Sequence, residues 1–485
     1  MKTALLFILF PLYIFGQTQI GQDIDGQFAS EESGDSLSLS SDGTILAVGS
    51  ENHGGSGEVL IFEIIGNTWT PIGDPINGEA LSDGAGGGVS LSSDGNIVAV
   101  GSPFNDGVNG VNSGHVRVFQ NQGGIWTQIG DDIDGEDEYN SFGGSVVLSS
   151  DGSIVAIGAR ENDGVNGVNS GHVRVFENLG GTWTQIGDDI DGEAEDDLAG
   201  AIISLSSDGS IVAIGSFEND GNGSGAGHVR VFENIGGVWT QVGEDIDGSN
   251  SENFGHSVSL SSDGTIIAVG AIQTSNSGAL AGQTRIYKNE AGVWTQIGNN
   301  IDGEAEQNLS GWSVSLSSSG TVVAIGAIHN ADNGIKAGHV RIYKNIGDVW
   351  IQAGNDIDGE AEDDLSGYVV SLSSDGKVVV ISAPRNDGNG QNSGHVRAFD
   401  LSSILSVIDT SVENFIVYPN PATQTLQVEL NPNSVLEKIT LYNSLGQVVQ
   451  IENSLNFNLS SLAAGTYYLE VSTNIGVNTK QIIVE

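Results

Sequence analysis

Apolar and polar positions in this chain alternate in short runs that recur along its length. "SVSLSSDG" (257–264) alternates apolar with small polar residues, and "TIIAVGA" (265–271) is a continuous apolar run. "GHVRVFEN" (171–178) and "WTQIGDDI" (183–190) are the third and fourth segments of the same unit. All four have strand length, β-branched or aromatic content and Gly, Asn or Asp at their ends, which predicts strands rather than helices. Trp69, Trp126, Trp183, Trp239, Trp294 and Trp350 mark the period, at spacings of 57, 57, 56, 55 and 56 residues. A fixed period of this size signals a repeat architecture. Four short strands per repeat describe one blade of a β-propeller.

Counting each strand separately predicts how the ring closes. The "SLSS" strand occurs seven times, beginning at Ser38, Ser90, Val147, Ser204, Ser259, Ser315 and Ser371. The third strand also occurs seven times, from Gly57 to Gly394, but the tryptophan strand only six. The missing copy stands at the other end as "TQIGQDIDG", Thr18 to Gly26. The seventh blade would therefore borrow its outer strand from the N-terminus, which removes the exposed edges of an open array. The expected fold class is all-β: a seven-bladed β-propeller over residues 17–400 closed by an N-terminal strand, a linker at 401–414, and a small Ig-like β-sandwich at 415–485.

Charge and composition narrow the partners. The 485 residues include 62 acidic and 15 basic side chains, a formal charge of −47, which repels nucleic acid and anionic membranes. No nucleic-acid partner is expected. The 71 glycines point to turns, and the lack of cysteine excludes disulfides and thiol chemistry. Residues 1–16 read as an export signal: Lys2, the apolar run "ALLFILFPLYIF", then Gly16 before Gln17. That run is too short to span a bilayer and no other stretch approaches the needed length, so the mature chain is expected to carry no transmembrane segment.

The repeat resembles the FG-GAP repeats of integrin-type seven-bladed propellers over about residues 18–400. The Phe-Gly pair stands at Phe142-Gly143 and Phe254-Gly255, and the Gly-Ala-Pro triplet is approximated by Gly101-Ser102-Pro103 and Ser382-Ala383-Pro384. Only the glycine of the pair persists in every copy: Gly34, Gly86, Gly143, Gly200, Gly255, Gly311 and Gly367. The resemblance implies a calcium loop between the first two strands. Here that loop is "SSDGT" with one carboxylate (Asp42, Asp94, Asp151, Asp208, Asp263, Asp375, and Ser319 in the sixth copy), too few for calcium and better explained as an Asp-Gly hairpin turn.

After Phe399 the period stops. "VYPNPAT" (417–423), "LYNSLGQVV" (441–449), "LAAGTYYLEV" (462–471) and the last strand from Lys480 together resemble the C-terminal sorting domain of the type IX secretion system of Gram-negative bacteria. That resemblance implies passage through the periplasm, recognition of residues 415–485 by the secretion machinery, and delivery to the outer cell surface or the medium. The residues carrying it include Tyr418, Pro419, Asn420, Pro421, Gly446, Gly465 and Lys480.

Candidate binding residues fall into three groups. The loops between strands two and three and those between blades should share one face, which would be strongly acidic. Asp106, Asp163, Asp220 and Asp387 in the first set, with Asp196, Asp197, Asp363 and Asp364 in the second, could hold calcium, the one cofactor the pattern admits. The alternative is a solvated acidic surface with Asx turns. His115, His172, His228, His339 and His395 recur on the third strand with Arg117, Arg174, Arg230, Arg285, Arg341 and Arg397, and read as structural, with the "DIDG" aspartates as natural carboxylate partners. Positions that break the repeat say more. Just after the persistent glycine, most copies have a small residue or Asp35, but the last three have His256, Trp312 and Tyr368 near the mouth of the central channel. These rings could stack on a sugar, or simply pack under the loops.

The expected function is a secreted or surface-bound, non-enzymatic propeller that binds an extracellular polysaccharide, matrix or surface protein. A polysaccharide hydrolase or lyase and a ligand-free surface scaffold are the alternatives. No acid pair stands out in the sequence to favour the hydrolase.

Overall fold

The computed structural model describes residues 16–408, 415–430, 435–443, 447–452, 454–473 and 476–484. Residues 1–15 of the expected export signal and Gly446 of the tail lie outside the described residues.

Seven antiparallel sheets follow one another as blades. In blade 2 the strands are Gly88–Leu91, Ile97–Ser102 and His115–Asn121, and then an outer strand in two pieces, Trp126–Gln128 and Ile133–Asp134, both paired to the third. The fourth strand expected from the sequence is thus interrupted. The intervening "IGDD" bulges, and the same register shift recurs between Ile20 and Ile24 of the N-terminal strand. A glycine in the bulge leaves room for the next blade. Gly130 has φ +80, and a Cβ there would lie 2.8 Å from Cδ1 of Trp183.

The ring closes as the strand count predicts. Thr18–Asp25 pairs with His395–Asp400, completing blade 7 with Val370–Leu372 and Val378–Ala383. The inner strands of blades 1 and 7, Ser36–Leu39 and Val370–Leu372, also meet. On the face bearing the Asp-Gly turns, backbone hydrogen bonds run full circle through Ser41, Ser93, Ser150, Ser207, Ser262, Ser318 and Ser374, each 2.8–2.9 Å. The turn aspartates serve these hairpins. Asp42 Oδ1 accepts from Thr44 N at 3.0 Å and from the Ser40 hydroxyl at 2.8 Å, and the other five repeat the pattern of a bond from the residue two ahead.

The apolar core lies between blades, not within them. Val116 and Val118 of blade 2 pack with Phe142, Val146, Val155 and Ile157 of blade 3. The persistent glycine makes this approach possible: Gly143 has φ +99, and a Cβ on Gly101 would stand 1.9 Å from its carbonyl oxygen. Each repeated tryptophan bridges to the preceding blade, as when Trp183 Nε1 donates to the Ile129 carbonyl at 2.9 Å. Trp183→Phe keeps the ring but leaves that carbonyl unpaired. It is expected to cost about 1 kcal/mol, measured as a lower urea midpoint at unchanged m-value.

The segment expected to be a linker at 401–414 begins instead as structure. Ser402–Ile408 is a short helix, and Leu401, Ile404 and Leu405 are buried with Ala353 of blade 6. Blade 7 has no tryptophan because its outer strand comes from the N-terminus. Ile404 instead lies 3.1 Å from where a Cβ on Gly354 would stand, the glycine equivalent to Gly130.

The C-terminal domain is a two-sheet β-sandwich. One sheet holds Phe415–Tyr418, Thr425–Leu430 and Asn456–Asn458, and the other Val448–Glu452, Leu436–Asn443, Gly465–Thr473 and Gly476–Val484. Phe415, Leu426, Val428, Ile439, Leu441, Leu469 and Ile482 form its core.

Candidate functional site

The recurrent His and Arg residues lie in the seams between blades. Arg174 Nη2 donates to the main-chain carbonyl of Asp134 at 2.6 Å, and Arg230, Arg341 and Arg397 do the same to Asp191, Asp302 and Asp358. The carboxylate partner is a different residue from the one expected. It is the glutamate after the "DIDG" aspartate, with Arg174 to Glu136 and Arg397 to Glu360 at 3.4 Å. The outer-strand bulge explains the correction: it turns the aspartate carbonyl toward the arginine and leaves the next side chain to supply the charge. His115, His172, His228 and His339 each face the first aspartate of their own blade's "DID" segment, such as His172 to Asp189 at 3.8 Å, and His395 faces Glu360 at 3.9 Å. Burial pushes His172 and His395 down to about 4, so these rings are neutral near pH 7 and the contacts are not ion pairs.

The two acidic loop sets do share a face. Parallel bridges such as Gly114 to Phe142 and Gly171 to Ala199 tie the second-to-third loop to the connection leaving the same blade in blades 1, 2, 3, 5 and 6. The aspartates expected there have local partners. Asp106, Asp163, Asp220 and Asp387 are exposed and accept from the backbone of Asn112, Asn169, Gly225 and Asn392 at 2.7–3.0 Å, closing Asx-type loops. Asp197 and Asp364 are buried. Asp197 accepts from Ala194 N at 2.9 Å and from Asn219 Nδ2 at 3.0 Å; Asp364 does likewise with Ala361 and Asn386. Asp196 and Asp363 are exposed at φ 64 in the adjoining turns. Asp196 and Asp220 line one open hollow, and the other six are distributed around the rim.

The repeat-breaking aromatic residues come together. His256 and Trp312 have ring centroids 4.6 Å apart, Trp312 and Tyr368 5.7 Å, and Phe217 joins the far end at 5.5 Å from His256. All three ring positions follow the persistent glycine at the start of an inner strand, so the arc spans blades 4 to 7 at the channel mouth. Burial holds His256 down at about 4, and its Nδ1 lies 3.2 Å from the Trp312 carbonyl, so a neutral ring donates there.

The arc ends against a group of acids that the sequence did not single out as a set. Asp35 occupies the same ring position in blade 1, next round the circle from Tyr368. Burial, with Glu32 and Glu51 nearby, pushes its carboxyl up to about 8, against the pull of Arg385. Burial and Glu32 also raise Glu51, while burial and the same acids raise the Tyr368 phenol. On the other side of the mouth the ring positions are Gly87, Gly144 and Ala201, and a cavity of about 160 Å³ opens there between Glu51 and Arg160. The mouth thus offers aromatic faces, a protonated Asp35 carboxyl beside two further acids, and a small recess. Glu51, Arg160 and Phe217 hold one repeat position, directly after the second strand. Repeat-breaking residues there carry the same signal as those after the glycine.

In the tail, Asn420 is pinned to the last strand by Ile483 N to its Oδ1 at 2.9 Å and by its Nδ2 to the Gln481 carbonyl at 3.1 Å. Pro419 and Pro421 flank it. Tyr418 bonds Glu429 through its hydroxyl, Lys480 stands over the Phe415 ring, and Gly465 opens the strand that pairs with the last one. Residues 416–485 match the family described as secretion system C-terminal sorting domain. The protein is therefore exported by type IX secretion to the cell surface or extracellular space, and the tail engages that machinery. Among the described residues no helix is long and apolar enough to cross a membrane.

Solved structures with a similar architecture include a Bacteroides uniformis protein described as a "putative 6-phosphogluconolactonase", with 12% identity, 87% of this chain and 95% of that chain covered, and a TM-score of 0.48. A periplasmic gluconolactonase of Pseudomonas aeruginosa has 17% identity, covers 67% of this chain and 85% of that chain, and has a TM-score of 0.45. A search of curated proteins gives no significant match.

Proposed function

We propose that the propeller is a secreted binding module of FG-GAP type, delivered first by the export signal at 1–16, whose ligand is a neutral extracellular glycan held at the channel mouth. The observation that carries this is the break in sevenfold symmetry. His256, Trp312 and Tyr368 pack as a continuous arc of tilted rings on consecutive blades and end at the acids Glu32, Asp35 and Glu51. A sugar presents an apolar face to such rings and hydroxyls to carboxylates. The recess of about 160 Å³ suits one ring or substituent, being smaller than the roughly 300–1,000 Å³ of pockets that enclose larger ligands. Adhesion follows from surface delivery of such a module.

Trp312→Ala removes the middle of the arc. On a panel of polysaccharides and matrix proteins it is expected to weaken retention about tenfold to a hundredfold, since a stacked aromatic contributes about 1–3 kcal/mol. Unchanged retention of every ligand that the unaltered chain binds would remove the mouth as the site.

One observation favours a second reading, hydrolysis of the bound glycan. Asp35, protonated near pH 7, stands beside Glu32 and Glu51, as a general acid stands beside a second carboxyl group. Release of soluble product during the same incubation, abolished by Asp35→Asn, would put this reading first.

A further inference from the structure

We propose that the seam between blades 5 and 6 is a zinc site, with Glu304, Asp332, His339 and Asp356 as its four ligands. One donor atom from each lies within 4.8 Å of the other three. His339 Nδ1 is 3.4 Å from Asp356 Oδ2 and 4.0 Å from Glu304 Oε2. Ligand atoms about 2.0–2.1 Å from a tetrahedral zinc stand about 3.3–3.4 Å apart, so small side-chain movements complete the set.

The histidine itself points to a ligand. His339 is fully buried and directed at the carboxylates, yet neither of its ring nitrogens makes a hydrogen bond of normal geometry. Asp358, opposite His339 in the strand register, has a buried Oδ1 that is likewise unpaired. The Nε2 atoms of His115, His172, His228 and His395 are unpaired as well, so the atom that distinguishes His339 is Nδ1; an orphaned buried nitrogen is costly, and a cation bound there satisfies it. Arg341 lies 3.7 Å from Glu304, but one guanidinium faces four carboxylates when Asp358 is included.

What sets this seam apart is Asp332. The seams at His115 and His172 assemble three donors each, a glutamate, the histidine and one aspartate. At the place of Asp332 four of the other loops carry Gly107, Gly164, Gly221 and Gly388, and the blade 5 loop carries Asn276. The equivalence is structural as well: Asp332 N bonds Asn330 Oδ1 at 3.0 Å as Gly388 N bonds Asn386 Oδ1 at 2.8 Å. A Cβ on Gly388 would point within 3.4 Å of Asp25 Oδ1, the counterpart of Asp358, so Asp332 brings a fourth carboxylate into the seam. One imidazole nitrogen with carboxylates fits zinc, which takes four mixed ligands, better than calcium, which takes six to eight oxygens.

The test is equilibrium dialysis of the chelator-treated full chain against Zn²⁺ at high salt, where loose binding to the acidic surface is screened. One tightly held zinc per chain is expected. Asp332→Gly restores the residue found in four sister loops and should fold as the zinc-free chain does. It is expected to weaken binding more than about 100-fold, beyond the 10–100-fold typical of changes outside the ligand set. His339→Gln should do the same, and Glu195→Gln, on a distant connection, should not. No retained zinc, or equal affinity in Asp332→Gly with an unchanged melting temperature, would overturn the proposal.

Discussion

A chain lacking residues 17–26 is expected to lose the cooperative unfolding of the whole ring. Those residues supply the outer strand of blade 7 and hold blade 1 as well. Thr18–Asp25 pairs with His395–Asp400, Ile24 is buried, the Trp69 indole donates to the Ile20 carbonyl at 3.1 Å, and Gly26 N bonds Gly394 at 2.9 Å. Removal strips the core shared by blades 7 and 1, which contains Leu37, Val48, Trp69, Val380 and Val396. It also leaves His395–Asp400 as an unpaired edge, a template for aggregation. The loss should exceed the about 4–5 kcal/mol reached by the most damaging single substitutions. It would be read as a lower urea midpoint and a shift from monomer to aggregate in light scattering. A synthetic peptide of residues 17–26 should restore part of the midpoint. A truncated chain that melts like the intact one would mean that closure adds nothing.

The second large effect concerns Asp35 and pH. Its folded-state carboxyl titrates at about 8 against an ordinary value of 3.8, because burial and then Glu32 and Glu51 disfavour the charge. Between these values the folded state keeps a proton that the unfolded state releases. Stability from this group therefore falls as pH rises from about 4 to 8 and stays low above. Asp35→Asn cannot ionise, so its stability should draw level with the unaltered protein near pH 4 and exceed it by about 2–5 kcal/mol at pH 9. Thermal or urea melts of both chains across that range give the difference directly. Parallel curves would mean that Asp35 ionises freely in the folded protein. The turn aspartates act in the opposite sense. Burial alone would raise Asp42, but hydrogen bonds from Thr44 and Ser40 outweigh it and lower the carboxyl, so its contribution is lost only under acid conditions.

If the mouth binds a glycan, the stability given up at Asp35 has a physical rationale. A carboxyl kept neutral can both donate to and accept from a hydroxyl, which an ionised one cannot. Strain of this kind gathers where a protein binds or reacts rather than where it only packs.

Much of this molecule is determined by the amino-acid sequence alone. The period, the seven copies of two strands and the displaced "TQIGQDIDG" at Thr18 define the blades and the closing strand, because each repeat packs only on its neighbours. The sorting domain was legible for a different reason: its motifs stand together and in order at the C-terminus. The aromatic arc could be located because His256, Trp312 and Tyr368 break a pattern whose other copies show what is ordinary.

Tertiary structure decided what periodicity does not encode. The bulge in each outer strand resets the pleat, so Arg174 meets Glu136 rather than the expected aspartate carboxylate. The helix at Ser402–Ile408 read as a linker, since its apolar side has meaning only against blade 6 beside a blade without tryptophan. The acid cluster and the aromatic arc come together only on closure, which sets Asp35 of the first blade beside Tyr368 of the last. A repeat pattern fixes which residues are equivalent. Contacts among residues that do not repeat depend on where the ring joins, and that is settled only when the whole chain has folded.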